Sequence, residues 1–528
     1  MKNKQILIPI VAALLVITAC KKNDFKSERT RLFRPVPNGS LTADSNAILA
    51  NWLQIKDVSS YTIQLSKDTF RTILVSRDLP DTGSYLFTNL DWDKLYQVQV
   101  RANAADTVFN SRFSNLGSIR TARFPTILKI PLPGEITDEA VRVSWVTGGA
   151  AVTSIKILKA SDSSVVTTVA LTPTDVTDQF KIISGLTSAT SYIIFLYSGT
   201  SVRGWADFIT NAPLSGVIID LRGITGRPSI LADTIPIIPS GSTVLLKRGQ
   251  TYNIAAAVNL GKAITITSGD DLVVPEQAKI YFTSNFNFTA GSVIDYIDFK
   301  DVYLSSDNYG SRYVFNTTAS ANVERISFDN CKMEIFRGIC RLQSGTTIVT
   351  NFLVNNCIID SVSNYGVLTV DNTTCAAGNV SIKNSTIYRV EKVITSAKQT
   401  AGSISVVIDN CTVNEAPLGN STGSFIVDYN TFNVTNGIII SNCIFGKGKP
   451  NVGNILVRDV RAGAATSISS SNNFITFDHT TTANPLSPVN NYAGTSVALW
   501  VDPYNGNFRF ADGNFTGRTT SGDPRWRP

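Results

Sequence analysis

Four cysteines in the second half of the chain each follow an asparagine, at Asn330-Cys331, Asn356-Cys357, Asn410-Cys411 and Asn442-Cys443. Thiols presented at intervals could close disulfides, bind a soft metal or serve as nucleophiles. Interleaved with them is a second set of reactive side chains: Asp371, Lys398, Asp428, Arg458, Asp459 and Arg461. Carboxylates and cations in one strip are what a sugar acid would require. Neither set can be read as chemistry until the elements that carry it are placed.

The spacing places them. The segments "RISFDNCKM", "FLVNNCII", "VSIKNSTI", "VVIDNCTV", "IIISNCIF" and "ISSSNNFI" share one asparagine, at 330, 356, 384, 410, 442 and 472. The gaps are 26, 28, 26, 32 and 30 residues. The next position holds Cys331, Cys357, Ser385, Cys411, Cys443 and Asn473, so a small residue suffices there and a thiol is not required. Such spacing excludes C-x-x-C chemistry. A unit of this length, with two or three short strands and no helical pattern, cannot bury an apolar face alone; stacked units can. Stacked coils put like residues about 4.8 Å apart. The asparagines then form an amide ladder, Asn330, Asn356, Asn384, Asn410, Asn442 and Asn472, and the cysteines pack as small buried hydrophobes. Side chains that project in parallel are poorly aimed for a disulfide.

After each asparagine a second β run follows, ending at Gln343, Asp371, Lys398, Asp428 and Asp459. Stacking is expected to gather Asp428, Arg458, Asp459 and Arg461, with Asp371 and Lys398 further along the same edge. Asp371, Asp428 and Asp459 are the candidates for substrate binding; Lys398, Arg458 and Arg461 are the candidates for a catalytic cation. The competing expectation is a row of solvated strand-end charges. The turn "YRVEK", with Arg389, Glu391 and Lys392, has the same two readings, and Asp270-Asp271 reads as a turn. Opening coils are expected at 240–271 and 292–306, so the solenoid is expected over 214–528.

Composition narrows the function classes. Hydrophobic residues make up 43% and charged residues 16%, a β-rich globular balance rather than a disordered one. One histidine, His479, argues against multi-His metal sites and most His-dependent triads. The formal charge of +7 is dispersed, with no basic run interleaved with aromatics, which argues against nucleic acid.

The N-terminus is an address. Lys2 and Lys4 precede an apolar stretch from Ile6 to Ala19, too short to span a bilayer comfortably but suited to a secretory signal. Ile17-Thr18-Ala19-Cys20 resembles the lipobox of bacterial lipoproteins, which implies lipidation at Cys20 after cleavage. Acyl chains anchor by burying methylenes, about 0.8 kcal/mol each. A polar tether, 21–33, follows. Two β modules come next, at 34–123 and 124–213. The first has Trp52 and the run Leu90…Tyr96-x-Val98-x-Val100; the second has Trp145, Leu186 and Tyr192. Both resemble fibronectin type III domains, the second more loosely. Trp92 and Trp205 could stack on sugars, although buried tryptophans are the commoner case.

The run "TVLLKRGQTYNI…ITITSGDD", the Asn-Cys/Asn-Ser ladder and the tail "VDPYNGNFRFADG…SGDPRW" resemble the pectate-lyase-like lipoproteins classed as domains of unknown function, the 4957/5123 group. The resemblance covers the whole plan and implies an all-β chain: two fibronectin type III-like β-sandwiches, then a right-handed parallel β-helix of the pectin-lyase-like kind. It also implies a Gram-negative setting, an outer membrane lipoprotein at the cell surface or on the periplasmic face. The expected partner is an acidic plant or algal polysaccharide, with the membrane engaged through the lipid and the chain monomeric. Lyases of this shape hold Ca²⁺ with carboxylates and use a Lys or Arg as base, so calcium is the cofactor a catalytic version would need. The concentrated Asp-rich motif of pectate lyases and the G-H-G of polygalacturonases are missing. Glycan binding without turnover is the expectation, with a calcium-dependent lyase and an adhesive protein as alternatives.

Overall fold

A computed structural model describes residues 31–420 and 424–528. The expected signal segment, Cys20 and most of the tether lie outside the described residues. Everything described is β-rich, and the strands obey two different rules.

The first rule is alternation. In the strand Leu95–Asn103 the residues Tyr96, Val98, Val100 and Ala102 are buried and their neighbours are not. That period of two gives one apolar face to the sheet Val75–Leu79, Ser60–Ser66, Leu95–Asn103, Ser114–Arg120. A smaller sheet, Thr42–Asp44, Ala47–Asn51 and Ser84–Phe87, supplies the opposing layer. Trp52 fills the space between, its ring 5.5 Å from that of Tyr61. The Tyr96 hydroxyl accepts a hydrogen bond from the Asp91 amide at 3.0 Å, the corner that closes many such sandwiches. The second sandwich repeats this: the Tyr192 hydroxyl accepts from the Thr187 amide at 2.9 Å. Its apolar-looking run Ser191–Ser198 still alternates, with Tyr192, Ile194 and Leu196 buried. Both modules are fibronectin type III-like.

The second rule is stacking. From Ile218–Asp220 onward the chain is a parallel β-solenoid. Among the described residues one sheet has 11 strands, called here the first sheet. A 17-stranded sheet bends once per coil into a second and a third sheet. The strand Lys332–Leu342 shows the bend, where register shifts between Phe336 and Gly338. Like residues stack in columns. Phe299, Phe328, Val354, Ile382, Ile408 and Ile440 form one inside the first sheet. The column ends at Ser470, whose hydroxyl donates to the Pro488 carbonyl and so closes the core end.

Coils stop at Asn490–Asn491, short of the expected 528. Residues 496–528 fold back over the outer face of the second sheet instead. Trp500, Phe508, Phe515 and Trp526 cover Tyr388, Ile444 and Phe474 there. The terminal stretch then climbs the corner between the first and second sheets. The Gly522 amide donates to the Asn442 carbonyl, and Asp523 takes the Thr386 hydroxyl at 2.7 Å. Arg525 reaches the Asn356 side chain at 2.8 Å. The tail "SGDPRW" is thus a strap across the coils.

Candidate binding face

The corner comes first, because it sets where everything else points. Asn330, Asn356, Asn384, Asn410, Asn442 and Asn472 all have φ between 51° and 54°, the left-handed region, and Asp301 in the preceding coil has φ 50°. Asn and Asp tolerate that conformation better than other non-glycine residues. The repeat is therefore a turn signal. The amide ladder itself is only partly direct: Asn356 donates to Asn330 at 3.3 Å and Asn472 to Asn442 at 2.8 Å. At other steps the donor goes to Asp301, Asn355 or Asp409, and the tail arginines occupy Asn356 and Asn410.

The thiols complete this corner. The left-handed turn leaves the next amide without a sheet partner, and the side chain one coil on accepts it. Cys331 N–H donates to Cys357 Sγ and Cys411 N–H to Cys443 Sγ, each at 3.4 Å. Cys357 N–H donates to Ser385 Oγ at 3.0 Å and Cys443 N–H to Asn473 Oδ1 at 2.9 Å. Cys, Ser and Asn interchange because each is a compact acceptor. Burial pushes the Cys331 and Cys411 thiols well up, so they are not nucleophiles.

The third sheet carries the charged residues on its outer face, and there the structure redistributes the expected strip. Register pairs Arg341 with Thr369, Thr369 with Thr395, Thr395 with Asp428, and Asp428 with Arg461. Asp459 is therefore not the rung above Asp428. It neighbours Arg458 in one strand, so the two side chains leave opposite faces. Asp459 is buried and accepts from His479 Nε2 at 2.9 Å and from the Leu486 amide at 2.7 Å. As a surface ligand it is corrected: it is an internal brace. His479 has acceptors on both ring nitrogens, the second being the Gly446 carbonyl at 2.9 Å. Burial disfavours its charge, but the hydrogen bond and charge of Asp459, with the Gly446 carbonyl, outweigh it and raise its pKa.

The remaining residues form two clusters of similar construction. In the first, Arg337 and Arg341 lie over the Tyr365 ring at 4.8 and 3.9 Å. Arg341 Nε donates to Asp371 at 3.0 Å, and Lys398 Nζ donates to the other Asp371 oxygen at 2.6 Å. Burial opposes ionisation of Asp371, yet the bonds from Lys398 and Arg341 hold its carboxyl below the usual range. Among the described residues the Arg337 side chain has only the Asn364 amide oxygen as hydrogen-bond partner, at 3.1 Å. In the second, Arg458 and Arg461 lie over the Phe425 ring at 5.2 and 4.4 Å. Arg461 grips Asp428 with two bonds of 2.8 Å. Among the described residues Arg458 makes no ion pair, and its Nε is buried without a partner. Each cradle thus has an aromatic floor, one neutralised arginine and one that is not. Arg341 and Arg461 lie four coils apart, roughly 19 Å along the stack. Sequence reasoning missed Arg337, Arg341, Tyr365 and Phe425. The i, i+4 and i, i+3 arginine pairs were visible, but which ring lies under them depends on register.

Other charged residues are occupied elsewhere. Arg389 holds Asp360, while Glu391 bonds Tyr309 at 2.6 Å and Lys449 at 3.1 Å. Asp271 accepts the Val273 and Val274 amides, which makes that pair a turn. Trp92 meets Phe124 edge-on, and Trp205 bonds the Phe124 carbonyl beneath Arg123. The face does not fit calcium. Asp371 and Asp428 are committed to cations, and among the described residues no three His, Cys, Asp or Glu side chains converge for a metal.

Two family models match the chain: a domain of unknown function, DUF4957, over residues 250–390, and another, DUF5123, over 406–526. The first match holds Arg337, Arg341, Tyr365 and Asp371 but not Lys398, and the second holds the Arg458 cradle and the "SGDPRW" strap. No curated protein matches. Similar solved structures include the FN1–FN3 domains of chicken CNTN1, 17% identical over 34% of this chain and 68% of that one, with a TM-score of 0.16. A two-domain fibronectin type III segment of chicken tenascin is 13% identical over 34% of this chain and 99% of that one, with a TM-score of 0.19. The assignment of the sandwiches rests on their own strand pairing.

Proposed function

We propose that the protein binds an acidic polysaccharide across the outer face of the third sheet, as a lipoprotein tethered through Cys20 at the outer membrane. The observation that carries this reading is the pair of cradles, in which Arg337 and Arg458 each lie on an aromatic ring with no carboxylate among the described residues to neutralise them. The seven ionic residues Arg337, Arg341, Asp371, Lys398, Asp428, Arg458 and Arg461 sum to +3. Guanidinium groups pair with carboxylates in a bidentate fork, and the rings beneath hold the guanidinium groups in place through cation–π contact. A polymer crossing the coils would place acidic groups at both cradles.

Binding is favoured over turnover because two of the three candidate bases, Lys398 and Arg461, are held by Asp371 and Asp428, and among the described residues no carboxylate cluster fits the calcium that a lyase with Arg458 as base would need. The test is titration calorimetry of the full chain with polygalacturonate and alginate at low and high salt, with absorbance at the wavelength of unsaturated uronates followed in parallel. Salt-sensitive binding with flat absorbance supports the reading. Rising absorbance makes the protein a lyase, and absence of binding to every polyanion leaves an adhesive role.

A further inference from the structure

The first coils of the solenoid hold a cavity of about 380 Å³, away from both cradles. That volume falls within the range of small-ligand sites, roughly 300–1,000 Å³. Its walls differ in kind. Pro133, Ile136, Pro213 and Leu214 give an apolar side, while Thr265, Lys300, Asp270 and Arg248 give a polar one.

The polar side is held in place. Thr243 Oγ1 donates to the Ser215 carbonyl at 2.9 Å, pinning the linker over the first sheet. The Arg248 side chain is 4% exposed, is paired with Asp301 and donates to the Pro275 carbonyl at 3.1 Å. Its Nε is buried with no partner among the described residues. Gly134 admits the guanidinium: a Cβ there would sit 3.0 Å from Arg248 Nη1. The Asp270 carboxyl is raised by desolvation first and by Asp138 second, against the charges of Arg248 and Arg222. A second cavity, reaching Lys247 and Asp220, shares Arg248, Gly269 and Asp270, so the trough continues past Asp270.

We propose that this cavity binds a neutral pyranose unit, with room beyond Asp270 for a second ring. A pyranose has an apolar C–H face for the proline and leucine wall and hydroxyls that both donate and accept. Asp270 is the acceptor for those hydroxyls, and Lys300 and Thr265 supply donors. Neutrality follows from the charges on the wall: Asp270, Asp301 and Asp329 against Arg248 and Lys300 give an anionic sugar no net attraction. The site is independent of the cradles and would let one chain hold a neutral side group while the third sheet holds an acidic backbone.

The experiment is saturation-transfer NMR on the full chain with methyl glycosides of galactose, xylose and arabinopyranose, and with galacturonate for comparison. The expected result is binding of at least one neutral pyranoside in the millimolar range. Asp270→Asn and Lys300→Ala, each keeping the parent melting temperature, should weaken it about tenfold, the scale of one lost hydrogen bond to a charged group. Arg458→Ala should leave it unchanged. Binding that survives both cavity substitutions overturns the proposal, as does preference for galacturonate or absence of binding by every neutral pyranoside.

Discussion

Two polar ladders run along this solenoid, one at the corner after the first sheet and one on the outer face of the third. At the corner nearly every polar group has a partner one coil away: asparagine to asparagine or aspartate, amide to thiol or hydroxyl, and the strap to what is left. On the third sheet the pairing is incomplete. Arg341 and Arg461 have their aspartates, but among the described residues Arg337 and Arg458 have none. A ladder satisfied from within stabilises the stack. A ladder left with charge to spare is available to a ligand.

The contrast breaks most sharply at Asn442. It has φ 54°, donates to Asp409 at 2.9 Å and accepts from Asn472 at 2.8 Å. Asn442→Val should cost about 3 kcal/mol, from left-handed strain at a β-branched residue and two lost hydrogen bonds. Asn442→Gly keeps the turn and loses only the bonds, so it should recover about half. Urea midpoints of the three proteins give the comparison. Equal losses for Val and Gly would mean that the ladder, not the turn, is what the asparagine supplies.

On the third sheet the order of effects reverses. Arg458→Ala should weaken polysaccharide binding about tenfold while leaving the unfolding midpoint alone, since no ion pair is lost. Arg461→Ala should lower the midpoint, because Asp428 is left half-enclosed and uncompensated. Lys398→Ala should do little to either, its side chain being 59% exposed. If Arg458 and Arg461 behave alike in both assays, the distinction between neutralised and unneutralised arginines fails.

How much of this was legible beforehand differs between the two ladders. The corner could be found from spacing alone, because the left-handed turn permits few residue types and repeats once per coil. Its mechanism was not legible: that Cys357 accepts the Cys331 amide depends on a hydrogen bond between residues 26 apart. The strip was legible as composition and misplaced as geometry. Counting from the asparagines aligned Asp428 with Asp459, whereas register aligns it with Arg461. Coil lengths vary in the turns between the second and third sheets, so offsets drift there. Burial within Val457–Arg461 does not strictly alternate: Asp459 and Val460 are both buried between Arg458 and Arg461, and Asp459 meets the chain's one histidine there.

That buried pair sharpens the comparison through pH. His479 is folded with a pKa above its ordinary 6.5, so the folded state favours the imidazolium. Its stabilisation is complete below the unfolded value and is lost as pH rises through the folded one. Between about pH 6 and 8.5, above the ordinary carboxylate range, the urea midpoint should fall with rising pH, and His479→Gln should flatten the slope. A midpoint that rises with pH would mean that the ring is neutral and donates only to Asp459.

The smallest effect belongs to the thiols that first drew notice. Cys443 Sγ accepts the Cys411 amide and donates to the Ser441 carbonyl at 3.1 Å, both of which a serine hydroxyl can do. Ser385, two rungs away, already does so, accepting from Cys357 and donating to the Lys383 carbonyl. Cys443→Ser should therefore change stability by well under about 1 kcal/mol, whereas Cys443→Ala should cost about 1, the Cys411 amide losing its acceptor in a buried turn. Calorimetric melts of the two variants decide it. If serine costs as much as alanine, the rung needs the volume and polarisability of sulfur rather than its lone pair, and the corner is held by packing rather than by hydrogen bonds.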